Sequence, residues 1–294
     1  MSPRETISPT AHYTGYVWAR NGLSHPALQT IEGRVLFESV QPTMLAFKAL
    51  GRPTLETYLL ARHEAIDALL EQSIEEHGIT QVIEVAAGLS PRGWRFKQRY
   101  GDKLTYVEAD LPGMTARKRE ALGQIGSLGE NHRVEEVDAL KDDGPDSLDA
   151  LVDELEPRRG LAIITEGLLG YLDGDSVEGV WRRFAVALRR FSTGRYISDL
   201  HIGGAQTPEV RAFRVVLSLF VRGRVHLHFQ NASEAQTELK QAGFDSAEIT
   251  PAPALVGEAV DSGGRLAHVL LAETEPATGA QAAGEKRSGS DSSP

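Results

Sequence analysis

The sequence predicts an α/β fold: a seven-stranded, mostly parallel, doubly wound sheet with a helical lid at its N-terminal end. Two patterns carry this prediction. From Ile79 onward, short aliphatic runs alternate with helix-length amphipathic segments, the signature of βαβ units with helices on both faces of a parallel sheet. The run Gln81 to Val85 also passes directly into the small-residue turn Ala86-Ala87-Gly88. A buried central strand does this where backbone must approach a ligand closely.

The elements follow in order. Residues 1–52 hold aromatics and small polar groups without clean periodicity, among them His12, Tyr13, Tyr16, Trp18, Arg20 and His25. They are expected to form an irregular segment with short helices, laid over the rest. Thr54 to His77 is the first strong helix, capped by Thr54 and stopped by Gly78. Strands are expected at 81–86, 104–109, 132–137, 160–165, 195–200, 246–250 and 266–273. Helices are expected at 91–100, 113–125, 145–156, 174–192 and 232–242, with Ser90 as N-cap and Pro91 as first helical residue of the first of these. An extra helix from Pro208 to Arg222, followed by Val225 to Phe229, interrupts the rhythm. After Thr274 no aromatic or large aliphatic residue occurs. The chain thus divides into an N-terminal lid (1–52), a core domain (53–274) and a disordered tail (275–294).

Composition narrows the class. With 41% hydrophobic and 24% charged residues, the 294-residue chain suits a soluble protein with one large core. No apolar run reaches the ~18 residues of a membrane span, and the N-terminus has no apolar signal core. Cysteine is absent, which excludes disulfides and thiolate metal sites and fits a cytoplasmic location. A net charge of −10 disfavours nucleic acid. The arginines clustered between Arg182 and Arg195, and between Arg211 and Arg224, leave a local basic patch open.

In an open α/β sheet the ligand lies beyond the carboxyl ends of the strands. Acids recur there: Glu84, Glu108 and Asp110, Asp138, Glu166, and Asp199. A lone strand-end acid is usually a cap or a solvated loop residue. Several on one cleft repel one another unless something binds them. An acid ending the second strand suits ribose hydroxyls, and one after the third suits an exocyclic amine. Neither G-x-G-x-x-G nor G-x-x-x-x-G-K-[ST] is present, so no phosphate cradle is evident. An adenosine ligand without phosphates points to S-adenosylmethionine (SAM).

The chain resembles the leucine carboxyl methyltransferase family of SAM-dependent methyltransferases. The resemblance rests on Ala61-Arg62-His63-Glu64-Ala65-Ile66-Asp67, on Val82 to Arg92, on Tyr106 to Pro112, on Ile164 to Leu172 and on Tyr13 to Trp18. The segment from Ala11 to Leu28 is most similar to the tetracenomycin-type polyketide carboxyl O-methyltransferases. The resemblance implies a Rossmann-like class I methyltransferase fold that binds SAM, releases S-adenosylhomocysteine (SAH) and uses no metal. It implies that Arg62 pairs with the methionyl carboxylate and that Glu84 and Gly88 line the first turn. Asp110 would hold the ribose, Asp138 and Ala139 the adenine, and Glu166 the methionyl amine. The family places glycine where this chain has Ala86.

Each role has a plainer alternative. Arg62 has the spacing of a surface helix pair with Glu64, Asp67 or Glu71; Glu166 suits a buried cap; Asp138 suits a turn beside Lys141. A carboxylate acceptor is ionised at pH 7 and needs no base, whereas a phenol benefits from one. The base would be His201, His25 or His12. Tyr171 would flank the methyl donor, and Tyr13, Tyr16 and Arg20 would bind an aromatic acceptor bearing a carboxylate. The expected activity is O-methylation of a small aromatic or polyketide-type molecule in antibiotic biosynthesis, at a carboxylate. Phenolic methylation, methylation of a protein C-terminus and a non-catalytic SAM-binding role remain open. The partner is a small-molecule acceptor, with neither nucleic acid nor membrane.

Overall fold

The computed structural model describes residues 9–203, 226, 228–257 and 264–277. The chain runs α1 (Pro9–Arg20), a 3-10 turn (Pro26–Leu28), α2 (Ile31–Ala49), α3 (Leu55–Glu76), β1 (Ile79–Val85), α4 (Arg92–Tyr100), β2 (Thr105–Asp110), α5 (Pro112–Gln124), β3 (His132–Glu136), α6 (Leu148–Val152), β4 (Gly160–Thr165), α7 (Gly174–Leu188), β5 (Gly194–Leu200), α8 (Ala232–Gln241), β6 (Ser246–Pro251), α9 (Pro253–Val256) and β7 (His268–Thr274). The seven strands form one sheet in the order β3-β2-β1-β4-β5-β7-β6. Strands β1 to β5 are parallel, and β7 runs antiparallel to both neighbours. This is the predicted class.

Alternation along each strand builds two cores. Ile83, Val107 and Ile163 pack with Trp181 and Phe184 of α7. Val82, Tyr106, Ile164 and Ile197 pack with Ile66 and Leu70 of α3, and Tyr13 and Phe37 extend that layer. Both faces are covered, so the polar residues of the central strands, Gln81, Glu84, Glu108, Arg195 and Asp199 among them, are buried and hydrogen-bonded or paired.

The structure corrects the expectation for residues 1–52. Residues 9–49 form two regular helices joined through a 3-10 turn rather than an irregular segment. Helix α1 is buried on several sides, through Tyr13, Thr14, Gly15, Val17 and Trp18, so it shows no single apolar stripe. It crosses α2 closely because Gly33 has no side chain; a Cβ there would stand 2.2 Å from the His12 carbonyl oxygen. Thr30 joins the two helices. Its Oγ1 accepts from Gly33 N at 3.0 Å and lies 2.9 Å from His12 Nδ1.

Three boundaries also move. Helix α4 begins at Arg92 with Pro91 as its cap residue; Ser90 instead accepts from Arg92 N at 3.3 Å. Only 148–152 of the expected 145–156 helix is helical, capped by Ser147, and α7 ends at Leu188. The expected helix at 208–222 lies outside the described residues. Of 225–229, Phe229 forms a bridge to Ile202. The expected tail lies outside the described residues from 278 onward, and what precedes it is held: Glu275 N donates to Asp245 and Ala277 N to Arg189 O.

The arginines between 182 and 195 form no basic patch. Arg182, Arg183, Arg189, Arg190 and Arg195 each pair with an acid, while Arg211 to Arg224 lie outside the described residues. Among the described residues no helix is long and apolar enough to cross a membrane.

Candidate active site

Strand order reverses between β1 and β4, so a crevice opens beyond their carboxyl ends. Strand β1 leads into the turn Ala86-Ala87-Gly88. Gly88 has φ +53°, and Ala86, at φ +54°, is the only described non-glycine residue with positive φ. Asp110, ending β2, secures this turn. Its Oδ2 accepts from Gly88 N at 2.7 Å and its Oδ1 from Leu111 N at 2.8 Å. Burial raises its pKa, against the lowering effect of those two amides. Each oxygen has a second lone pair for a further donor.

On the β4 side, Glu166 is the centre of a buried ionic network. Its Oε1 accepts from Arg62 Nε at 3.0 Å; its Oε2 accepts from Arg92 Nη2 at 2.6 Å and lies 2.8 Å from His63 Nδ1. Burial pushes its pKa up, but His63, Arg62 and Arg92 outweigh that and hold it well below the usual carboxylate range. Arg62 also donates to Asp199 Oδ2, at 3.2 Å. Arg92, fully buried, bonds Asp67 at 2.6 Å and Glu84 at 2.5 Å. Tyr106 donates to the other Glu84 oxygen at 2.7 Å. Unpaired, any one of these charges would be very costly to bury.

This geometry replaces the surface alternative for Arg62: Glu64 is exposed, Asp67 serves Arg92, and Glu71 serves Arg99. It also separates the expected cofactor residues. Gly88 and Asp110 lie at the carboxyl ends of β1 and β2 and are joined by a hydrogen bond, while Arg62 and Glu166 pair beside the end of β4. Glu84 lies under the turn with both oxygens engaged, an anchor for Arg92. Asp138 and Ala139 lie half-buried after β3, where Asp138 Oδ1 accepts from Leu140 N at 3.1 Å and its carbonyl from Lys141 N at 3.0 Å. Asp138 thus makes the turn that was its plainer reading, with one carboxylate oxygen left for another donor.

The acceptor-side residues divide likewise. His201, after β5, places Nε2 3.0 Å from Tyr58 Oη. Burial lowers its pKa, opposed by Asp199 and assisted by Arg62. Tyr171, in the 3-10 turn Leu169–Tyr171, is 40% exposed. Tyr13 is buried against Phe37 and forms part of the core, not of a substrate surface. Tyr16 is half-buried beside the same ring. Arg20 lies over Phe37 and 3.7 Å from Glu56. His12 and His25, the other base candidates, are structural: His12 ties α1 to Thr30, and His25 Nδ1 accepts from Ala27 N at 3.1 Å.

Sequence reasoning missed His63, Asp67, Arg92 and Lys118. His63 and Asp67 stand four apart on the face of α3 that carries Arg62, a spacing that brings side chains together. Arg92 closes the motif Gly88-Leu89-Ser90-Pro91-Arg92, but nothing in the motif said that it turns inward. Lys118 resembles any helix-surface lysine, yet it is fully buried and donates to the carbonyls of Gly88 and Ser90 at 3.1 and 2.6 Å.

A doubly wound sheet with its strand order reversing between β1 and β4 defines a Rossmann-like α/β protein. The comparisons specify it: residues 27–185 match the leucine carboxyl methyltransferase family model, just over half of the chain, and the protein belongs to that family. A protein of Mycobacterium bovis (strain BCG / Pasteur 1173P2) named "Putative S-adenosyl-L-methionine-dependent methyltransferase" is 36% identical over 109 residues. That match spans 37% of this chain and 35%, about a third, of the relative. Among solved structures, the "putative methyltransferase" of Thermobifida fusca YX shares the fold with a TM-score of 0.62 at 15% identity, over 91% of this chain and 98% of that one. PigF with SAH aligns with a TM-score of 0.50 at 18% identity, over 71% and 54% of the two chains.

Proposed function

We propose that this protein is a SAM-dependent O-methyltransferase that esterifies a carboxylate of a small aromatic or polyketide-type molecule. One observation carries the reading: the paired Arg62 and Glu166 face, across the β1/β4 switch point, a glycine turn braced by Asp110. Family membership supports the same chemistry, as does the PigF fold relative, whose structure was solved with SAH.

The residues suit this cofactor. A Cβ on Gly88 would meet the side chain of Ala11 at 3.7 Å, an ordinary van der Waals contact, so α1 lies directly over the turn. Asp110 is a half-buried carboxylate with spare acceptor capacity for two hydroxyls. Arg62 offers a guanidinium to a carboxylate, and Glu166 a carboxylate to an ammonium. When bound, SAM supplies an activated methyl group for in-line displacement. What remains for the chain is alignment and exclusion of water. The rigid Arg62–Glu166–Arg92 network fixes the methionyl end, Asp110 fixes the ribose, and α1 covers the turn through Ala11 and Gly15. The acceptor carboxylate enters already ionised, so no proton has to move.

The second reading is phenolic O-methylation. It is favoured by His201, whose lowered pKa keeps the ring neutral near pH 7 and able to take a proton. Alkaline treatment of the product separates the two, because an ester is cleaved and an aryl ether survives. The cofactor assignment is tested by calorimetric titration with SAH: Asp110→Ala is expected to weaken binding at least about tenfold, ~1.4 kcal/mol, and unchanged affinity refutes the ribose role.

A further inference from the structure

Beneath the glycine turn lies a second buried ionic cluster that no role described so far uses. Lys118, on α5, and Glu108, on β2, are both about 1% exposed and form an ion pair. Glu108 Oε1 lies 2.8 Å from His132 Nε2, and His132 Nδ1 lies 2.9 Å from Ser127 Oγ. The Lys118 ammonium has three donors, and three acceptors meet it: the Gly88 carbonyl at 3.1 Å, the Ser90 carbonyl at 2.6 Å and the Glu108 carboxylate. Gly93, in the first turn of α4, lets the helix press onto this cluster, since a Cβ there would stand 2.3 Å from Glu108 Oε1.

Gly88 is therefore held through both of its backbone polar groups. Asp110 takes its N–H and Lys118 its carbonyl oxygen. A turn with two positive φ angles in three residues, one of them on an alanine, keeps its shape only where surrounding groups over-determine it.

We propose that Lys118 is a positioning residue for the cofactor site. Charge-balanced by Glu108, whose other oxygen lies beside His132, it clamps the Gly88 and Ser90 carbonyls and so sets the turn against which the adenosine end of SAM rests. The proposal builds on the SAM reading and extends it to a residue that touches no ligand atom.

The test is calorimetric titration of the full chain with SAH at a temperature where each variant is folded by circular dichroism. Lys118→Met/Glu108→Gln removes the clamp without leaving an uncompensated buried charge. Its SAH dissociation constant is expected to rise about 10- to 100-fold. Ser127→Ala alone weakens the cluster at His132 but leaves the Lys118–Glu108 pair and the carbonyl clamp. It is expected to lower the melting temperature while keeping SAH affinity within about threefold of wild type. A structural role alone would make affinity and melting temperature fall together in both variants, and that parallel loss overturns the proposal. So does wild-type affinity in a folded double variant. If the double variant does not fold, Lys118→Gln, which keeps two donors on a shorter side chain, is expected to bind SAH several-fold more weakly; unchanged affinity overturns the clamp. Failure of the wild type itself to bind SAH is a distinct result and overturns the cofactor reading.

Discussion

Ala86 stands where the resemblance to the family implies glycine. Its left-handed backbone, φ +54°, costs an L-residue about 1–2 kcal/mol, and glycine there would remove that strain. Glycine also has more conformational freedom to lose on folding, about 0.5–1 kcal/mol. Ala86→Gly is thus expected to stabilise the fold by about 0–1.5 kcal/mol, read from the urea midpoint at constant slope, with SAH affinity retained. Arg92 represents the opposite case. Arg92→Met strands Glu84, Asp67 and Glu166 in the interior, and loss of one partner of a buried pair costs about 3–5 kcal/mol; chemical denaturation measures it. The acids also set the pH dependence. Glu166, Asp67 and Glu108 all have folded pKa values below their ordinary ones, their pairing with Lys, Arg and His outweighing burial. Their stabilisation is complete above the unfolded pKa of about 4 and disappears as pH falls through the folded values. Asp110 has the opposite sign: burial raises its folded pKa, so what it adds below the unfolded pKa is lost as pH rises through the folded one. Three depressed acids outweigh one raised acid, so stability against urea is expected to decline with acidification below about pH 4. A midpoint that rises there would contradict the assigned pairs.

At the scale of elements, the parallel strands were legible in the sequence because burial on both faces turns them into short aliphatic runs. All seven lie within about two residues of where those runs fall. Helices α1 and α2 were not legible, because α1 is buried on several sides, α2 leaves Ile31, Val35 and Leu45 exposed, and the crossing depends on a single glycine. Gly33→Ala forces a methyl against the His12 carbonyl and is expected to cost about 1–3 kcal/mol. Trp18, whose ring lies 4.7 Å from that of His63, should report the movement of α1 as a shift in tryptophan emission; an unchanged spectrum and midpoint would show that the helices separate freely. The acids of the site were legible as strand-end residues. Their cations were not, since Arg62, Arg92 and Lys118 sit on helices where nothing local distinguishes an inward arginine or lysine from an outward one. The distinction is made by partners over 70 residues away in some cases, such as Glu166 with Arg92.

For the whole molecule, ligand binding and folding are linked, because the crevice exists only when β1, β2 and β4 are assembled. SAH at 100 times its dissociation constant is expected to add about 2.7 kcal/mol, a rise of several degrees in melting temperature for a chain of this size, visible by scanning calorimetry. No shift at saturating SAH would separate the crevice from the cofactor. The C-terminal strand has a further consequence. Strand β7 lies between β5 and β6, although it is made last of the three. During synthesis, β5 leaves the ribosome with one edge unpaired and waits for about 70 more residues, some seconds at ordinary elongation rates. The nascent chain therefore passes through a stage with an open, aliphatic sheet edge, the kind that recruits other chains. Its demand for chaperones should peak in that interval and end once Thr274 has emerged.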